Sequence, residues 1–370
     1  MRLPSDEQEM RDYVRWLVRN RYQDALPILA ASTSGFGSRL GLLERDLANA
    51  RKLLGEFRGE QARALHDPLR ISRIGEDEKL HEFSQSLYYS VLECIARLQV
   101  MIELMLLYYG CLRIGVGRLP GVLTERGGVN YENEVGRIRR LRIRDVWADF
   151  KFPDVRGYVC STSEKALLRR VLNRTAKTIR GYLLDLADFR RNFLAVHNKY
   201  KHTMVEIVDR YATVQRDAGI DCMPQFYVRS KERSPRKRQW RVYTYAVRSD
   251  ERFLDYLESL IDKWATVTAS LSDTHLQWLV NKGNAAFPRH IDVKPDEAPN
   301  VKAAIDGEPS FRHVVNFLGA FHITWMPKAV QRIERSLRRG YVARLALDIM
   351  DPRKLRKVRI ARKSAQSSSS

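Results

Sequence analysis

The chain has 370 residues, of which 44% are hydrophobic, 9% aromatic and 29% charged. This composition excludes wholesale disorder and allows a core without disulfides or metals. Lys and Arg total 65 against 44 Asp and Glu, so the net charge is +21, which predicts an anionic partner, with nucleic acid favoured over a membrane surface.

Residues 1–75 are predicted to form an N-terminal helical region, because apolar residues such as Leu40, Leu43 and Leu47 recur at helical spacing. A break in this helix is expected at Ser32–Gly37. The start of the chain is charged, unlike a secretion signal. The four cysteines are isolated, which is typical of free thiols in a reducing compartment. We therefore expect a cytoplasmic protein.

Residues 76–283 are predicted to form a bundle of three long helices. The first covers 76–112, and its polar residues, including Glu93 and Glu103, argue against a membrane span. The third covers 252–281.

The second long helix is predicted to begin at Ser161, because Ser161 and Glu164 have the spacing of a capping box, and to continue to about Tyr200. Polar and apolar residues then alternate over 225–229 and 239–247, which predicts a β-hairpin over 225–247 with a basic turn between its strands.

Residues 284–370 are predicted to form a C-terminal helical region after a boundary rich in Pro, Gly, Asn and Asp. Its basic tail, residues 353–363, contains no acidic residue. We expect this tail to bind phosphate without sequence preference.

The second long helix carries an apolar stripe that also contains an arginine and a histidine. The stripe consists of Ile179, Leu183, Leu186, Arg190, Phe193, His197 and Tyr200. Arg190 and His197 are seven residues apart, so they lie within about 20° of each other around the helix axis. Burial of such ionisable groups is costly, which favours a functional role. The alternative is a stripe that ends in solvent, with basic residues favourably placed near the helix C-terminus.

Arg191, Asn192 and His197 resemble the motif of the HEPN superfamily, in which a polar residue follows the arginine and a histidine follows after four to six residues. Members of this superfamily are compact helical bundles that usually dimerise. Many are metal-independent ribonucleases of prokaryotic defence and toxin–antitoxin systems, and others are inactive RNA-binding or scaffolding domains. The resemblance implies a HEPN-like helical bundle, and the chain departs from that family by a small β-hairpin insertion and extra helical N- and C-terminal regions. We therefore predict a mostly α fold.

The resemblance also implies a metal-independent endoribonuclease without a cofactor. His197 would transfer protons and Arg191 would bind phosphate oxygens, while Asn192 would orient either group. Arg190 and His202 are possible additional catalytic residues. The alternative is a non-catalytic nucleic-acid-binding or scaffold protein, in which the arginine and the histidine are buried or separated.

The predicted partner is RNA, and a homodimer would bring two copies of the motif together. A cognate antitoxin or a defence-system protein is a further predicted partner, and no membrane association is expected. The predicted RNA-binding residues are basic and follow the motif or flank the hairpin turn, where aromatic residues are interleaved. They are Lys199, Lys201, Arg229, Arg236, Lys237, Arg238 and Arg241.

Overall fold

The computed structural model describes residues 22–114, 131–201, 211–216, 219–233, 240–280, 287–288 and 291–307. This part of the chain is mostly α-helical with a small antiparallel sheet, as the sequence predicts. The helices are α1 (Tyr22–His66), α2 (Pro68–Ile71), α3 (Glu78–Ile114), α4 (Tyr131–Ile138), α5 (Ile143–Asp149), α6 (Thr162–Lys201), α7 (Glu251–Val280) and α8 (Ala298–Gly307). The predicted helix over 311–350 and the basic tail lie outside the described residues.

The start of α6 is the predicted capping box. The hydroxyl of Ser161 accepts a hydrogen bond from the backbone N–H of Glu164 at 3.3 Å, and the Glu164 carboxylate accepts one from the N–H of Ser161 at 2.7 Å. The two residues thereby satisfy backbone donors that the first turn of a helix leaves without intrahelical partners.

The predicted hairpin is present, but it belongs to a three-stranded sheet. Its strands are β1 (Tyr211–Arg216), β2 (Gly219–Arg233) and β3 (Trp240–Arg248), in the order β1-β2-β3. In the β2–β3 ladder, Gln225 pairs with Arg248. Strand β1 was not predicted, because a six-residue edge strand is specified mainly by the ladder it joins, here Tyr211 opposite Pro224.

The structure differs from three expectations about where helices begin, end or occur. Helix α1 continues through Ser32–Gly37 without a break, because the cost of about 1 kcal/mol for a glycine in a helix is small beside packing contacts such as that of Phe36 with Tyr108, at 5.0 Å between ring centroids. Helices α4 and α5 lie in a region predicted to be irregular. Helix α8 lies within the predicted boundary loop.

The chain divides into two compact units that are discontinuous in sequence. Unit 1 comprises 1–36, 104–184 and 266–370, and unit 2 comprises 37–103 and 185–265. Helices α3, α6 and α7 each contribute one segment to either unit. The sequential division at residues 75 and 283 stays a prediction.

In unit 2 the three long helices contact one another pairwise, as predicted. Helix α3 meets α6 through Gln99, whose amide donates to the carbonyl of Arg190 at 3.1 Å. Helix α7 meets α3 where the indole N–H of Trp264 donates to the carbonyl of Met101 at 2.9 Å. Helix α6 meets α7 through Phe193 and Phe253, whose ring centroids are 5.7 Å apart. The buried amide of Gln99 and the buried indole of Trp264 thus both have hydrogen-bond partners, as buried polar groups usually do.

In unit 1 the segments of α3 and α7 contact each other where the hydroxyls of Tyr108 and Ser272 share a hydrogen bond of 3.0 Å. Helix α6 is tied to the segment before α8, because Thr178 donates to the carboxylate of Asp292 at 2.7 Å. Within the described residues, no helix combines the length and the apolar character needed to cross a bilayer.

Candidate functional site on helix α6

The predicted stripe of α6 is the buried face of that helix. Ile179, Leu183 and Leu186 are at most 2% exposed. Arg190 and His197 continue the same face, at 4% and 7% exposure. Seven residues correspond to about 700° of helix, so these two positions nearly coincide in projection.

Arg190 is held by polar groups of α3. Its guanidinium contacts the Glu103 carboxylate at 3.3 Å, and its side chain is only 5% exposed. The amide of Gln99, itself fully buried, donates to the carbonyls of Phe189 and Arg190 at 3.4 and 3.1 Å. A buried cation with an acidic partner and nearby hydrogen bonds is a tolerable core element. These contacts connect the Arg190 segment of α6 to α3.

Arg191 and Asn192 lie on a different side of the helix and are exposed. Arg191 precedes His197 by six residues, which places the two about 120° apart around the axis. The Arg191 guanidinium approaches the Asp188 carboxylate at 3.9 Å, and both side chains are about half exposed. The motif arginine and the motif histidine therefore do not converge within one chain.

Two aspartates near Arg191 each lie beside a cation. Lys263 of α7 pairs with Asp185 at 2.8 Å, and Asp188 contacts Arg191 itself. Burial raises the pKa of the Tyr256 phenol, and the nearby charges of Asp185 and Asp188 add to the shift.

The last turns of α6 are attached to α3 by a partly buried polar network. The Tyr200 hydroxyl donates to the Glu93 carboxylate, which also pairs with Arg97 at 2.8 Å. Arg97 in turn contacts Asp46 of α1. Burial, and the hydrogen bond to the Glu93 carboxylate, raise the pKa of Tyr200 to about 12, so the phenol stays protonated as a donor near neutral pH.

The predicted RNA-binding residues are only partly within the described chain. Lys199 and Lys201 belong to the last turn of α6. In the β2–β3 ladder, Arg229 pairs with Thr244 and Arg241 pairs with Glu232. Four predicted site residues lie outside the described residues: His202, Arg236, Lys237 and Arg238.

The partners of Arg190 on α3 were not predicted as site residues. Gln99 and Glu103 are four residues apart, so they share a face of α3. Two polar residues at this spacing in a strongly apolar helix indicate a buried polar contact. In the sequence, the polar residues of this helix were interpreted only as an argument against a membrane span. Among the described residues, no group of three or more His, Cys, Asp or Glu side chains is placed to hold a metal ion.

Comparison with protein-family models, with curated proteins and with solved structures finds no match to this chain. The resemblance to the HEPN superfamily therefore rests on Arg191, Asn192 and His197 alone.

Proposed function

We propose that the protein binds RNA and that the arginine–histidine segment of α6 is structural rather than catalytic. The observation that carries the proposal is the placement of the motif: Arg191 is exposed beside Asp188, whereas His197 is buried about 120° away on the same helix. This is the separated arrangement expected of a non-catalytic nucleic-acid-binding or scaffold protein.

Cleavage of RNA without a metal requires a proton-transfer group within hydrogen-bond reach of the 2′-hydroxyl or the leaving oxygen, and a cation beside the phosphate. A histidine at 7% exposure offers little surface for such an approach. Arg190, which shares its face, is already engaged by Glu103 at 3.3 Å. The same side chains are well suited to fix α6 against α3.

Binding to RNA is supported by charge. The net charge of +21 produces a long-range attraction for polyanions, and nucleic acid is the polyanion such proteins most often meet. This attraction requires no catalytic group. It is therefore compatible with Arg190 and His197 being buried in the helix packing.

A metal-independent endoribonuclease is the second candidate. The observation that favours it is the shared face of Arg190 and His197, which are the arginine and the histidine closest to each other in helical projection. This function would use Arg190 rather than Arg191, and it would need a second copy of the chain or bound RNA to open the site. The predicted homodimer, and a cognate antitoxin or defence partner, belong to this candidate.

The test is a binding and cleavage assay on the purified full chain with single-stranded, structured and transfer RNA, in buffer containing EDTA. We expect salt-dependent binding and intact RNA after prolonged incubation. Arg191→Ala should bind RNA within about twofold of the parent, because it removes one of 65 basic residues and its guanidinium already lies beside the Asp188 carboxylate.

Cleavage in EDTA that disappears in His197→Gln, with RNA binding and the thermal midpoint retained, would replace the binding proposal by the nuclease. Absence of binding to all three RNAs at low salt would refute both candidates. Sedimentation of the same sample reports whether a dimer accompanies either activity.

A further inference from the structure

An arginine-rich turn in unit 1 is not used by the site on α6. Residues 137–144 read Arg-Ile-Arg-Arg-Leu-Arg-Ile-Arg and contain no acidic residue. They form the end of α4, a turn and the start of α5. We call the four arginines that this turn exposes the arginine corner: Arg139, Arg140, Arg142 and Arg144.

The apolar residues of the turn anchor it to the core of unit 1. Ile138 is fully buried and Leu141 is 4% exposed, and Val146 in the following helix is fully buried. The apolar residues thus fix the position of the backbone, and the arginines between them are directed to solvent. Placing four like charges together raises the electrostatic energy of the fold. Burial of the apolar residues does not depend on the clustered charge of these arginines, so an external partner is the better explanation for that charge.

Hydrogen bonds fix the geometry of the turn. The guanidinium Nε of Arg180 in α6 donates to the carbonyl of Leu141 at 2.7 Å. Within the turn, Nε of Arg140 donates to the carbonyl of Gly136 at 3.1 Å. Both bonds use Nε and not the two terminal amino groups, which are well shaped to bind phosphate oxygens in pairs. Arg140 and Arg180 are thereby held in place before an anion binds, which reduces the conformational entropy lost on binding.

The acidic residues of this region are mostly engaged elsewhere. Residues 131–184 contain thirteen Lys and Arg against six Asp and Glu. Asp149 pairs with Arg137 at 3.0 Å, and Glu134 pairs with Arg113 at 3.1 Å. Asp145 lies beside the corner: it accepts the backbone N–H of Arg142 at 2.8 Å and lies 3.9 Å from Nε of Arg144. The turn itself, residues 137–144, contains five arginines and no acidic residue, so its own charge is strongly positive.

We infer that the arginine corner, together with Arg180, binds the phosphate backbone of RNA. The choice of RNA rests on the proposed function, while the phosphate chemistry rests on the guanidinium cluster itself. A membrane surface is disfavoured, because none of the large hydrophobic side chains exposed in the described chain lies in residues 131–150. Membrane-surface binding usually combines such apolar insertion with basic charge.

The experiment measures the affinity of the full chain for a fluorescent single-stranded RNA as a function of salt concentration. The corner variant carries Arg139→Gln, Arg140→Gln, Arg142→Gln and Arg144→Gln. The matched control carries the same loss of charge from four exposed arginines of unit 2: Arg39→Gln, Arg45→Gln, Arg73→Gln and Arg252→Gln. Circular dichroism melting verifies that both variants are folded.

We expect the corner variant to bind on the order of 100-fold more weakly at 0.1 M salt. We also expect its slope of log affinity against log salt to fall by about 3, since each phosphate contact to a single strand contributes about 0.7. The slope of the control variant should fall by less than about 1, because that variant loses net charge but no arginine of the corner.

Equal slopes for the parent and the corner variant, or equal losses in the two variants, would overturn the inference while leaving the proposed function intact. No binding by the parent chain would instead remove the proposed function. Parallel titrations use DNA of the same sequence and vesicles of phosphatidylserine and phosphatidylcholine. Binding to either of these at RNA-like affinity, lost in the corner variant, would overturn the assignment to RNA.

Discussion

Arg190 of α6 and Glu103 of α3 form an ion pair of 3.3 Å, with the arginine side chain 5% exposed and the glutamate side chain 21% exposed. Arg190 lies on the buried face of α6 that also carries His197. Loss of one partner would leave the other charge without compensation in a poorly hydrated position, which is the costly case for an internal ion pair. The position next to it, Arg191, has no such constraint.

We expect Arg190→Ala to lower the free energy of unfolding by about 2–4 kcal/mol. Arg191→Ala, which removes the same group from an exposed position, should change it by less than about 0.5 kcal/mol. Urea unfolding followed by circular dichroism measures both values. The double variant Arg190→Met, Glu103→Leu should recover part of the lost stability, because it removes both charges. Similar losses for the two single alanine variants would contradict the assignment of Arg190 to the core.

Arg58 of α1 connects three elements of unit 2. It donates to both carboxylate oxygens of Glu251 at 3.0 and 3.1 Å and to the carbonyl of Cys222 at 3.1 Å. Arg58→Ala should lower the free energy of unfolding by about 1–2 kcal/mol, a value reduced by the exposure of both side chains. Arg58→Lys should not restore it, because an ammonium group lacks the planar fork.

The contact between Arg58 and Glu251 also predicts that stability depends on pH. The hydrogen bonds that Arg58 donates hold the pKa of the Glu251 carboxyl below its ordinary value. A lowered carboxyl pKa stabilises the fold above the pKa of the unfolded state, and this contribution is lost as the pH falls through the folded value. The stability gap between parent and Arg58→Ala should therefore narrow below about pH 4. Arg252→Ala, at an exposed neighbouring position, should show no comparable gap at any pH.

His275 in unit 1 is 1% exposed, and its Nδ1 lies 2.9 Å from the carbonyl of Leu271. Burial lowers the pKa of His275 to about 4, with the charge of Lys151 adding to the shift. The unfolded chain therefore binds this proton at a higher pH than the folded chain, so stability should fall as the pH drops from about 6.5 toward 4.

The measurement is the free energy of unfolding at intervals between pH 7.5 and 4.5, for the parent and for His275→Leu. The variant should show a shallower decline, because it has no imidazole to protonate on unfolding. Parallel curves for the two proteins would show that His275 does not control this range.

Lys151 adopts a left-handed backbone conformation, with φ of 54°, directly after α5. The N–H of Phe152 donates to the carbonyl of Trp147 at 2.9 Å and that of Lys151 to the carbonyl of Ala148 at 3.3 Å, which is the Schellman pattern of helix termination. Glycine is the usual residue there. The lysine ammonium instead lies 5.5 Å from the centroid of the Trp278 ring.

We expect Lys151→Gly to be more stable than Lys151→Ala by about 1 kcal/mol, since both variants lose the ammonium but only glycine relieves the backbone cost. The stability of the glycine variant should differ little from that of the parent. The relief of the backbone cost offsets the loss of the cation–π contact, which is worth about 0.5–1 kcal/mol. Thermal unfolding of the three proteins compares the values. An alanine variant as stable as the glycine variant would contradict this account of the turn.

The sequence by itself determined the long helices, the capping box at Ser161 and the β2–β3 hairpin. These elements follow from local patterns: apolar residues at three- and four-residue spacing, a side chain that caps its own helix, and alternation along a strand. The stripe of α6 was also predicted, and Arg190 and His197 do lie on it.

Only the tertiary structure decided the surroundings of the ionisable residues of that stripe. The motif spacing favours Arg191, but the exposure of each residue depends on which face of α6 packs against α3 and α7. This packing buries Arg190 beside Glu103 and Gln99, and it leaves Arg191 exposed. The arginine run at 137–144 was visible in the sequence as charge alone. Buried apolar residues hold this run at the surface. Its position also depends on contacts between residues that are distant in sequence, such as the hydrogen bond from Arg180 to the Leu141 carbonyl. Long-range packing of this kind leaves no periodic signal in a single chain, which is why it required the fold.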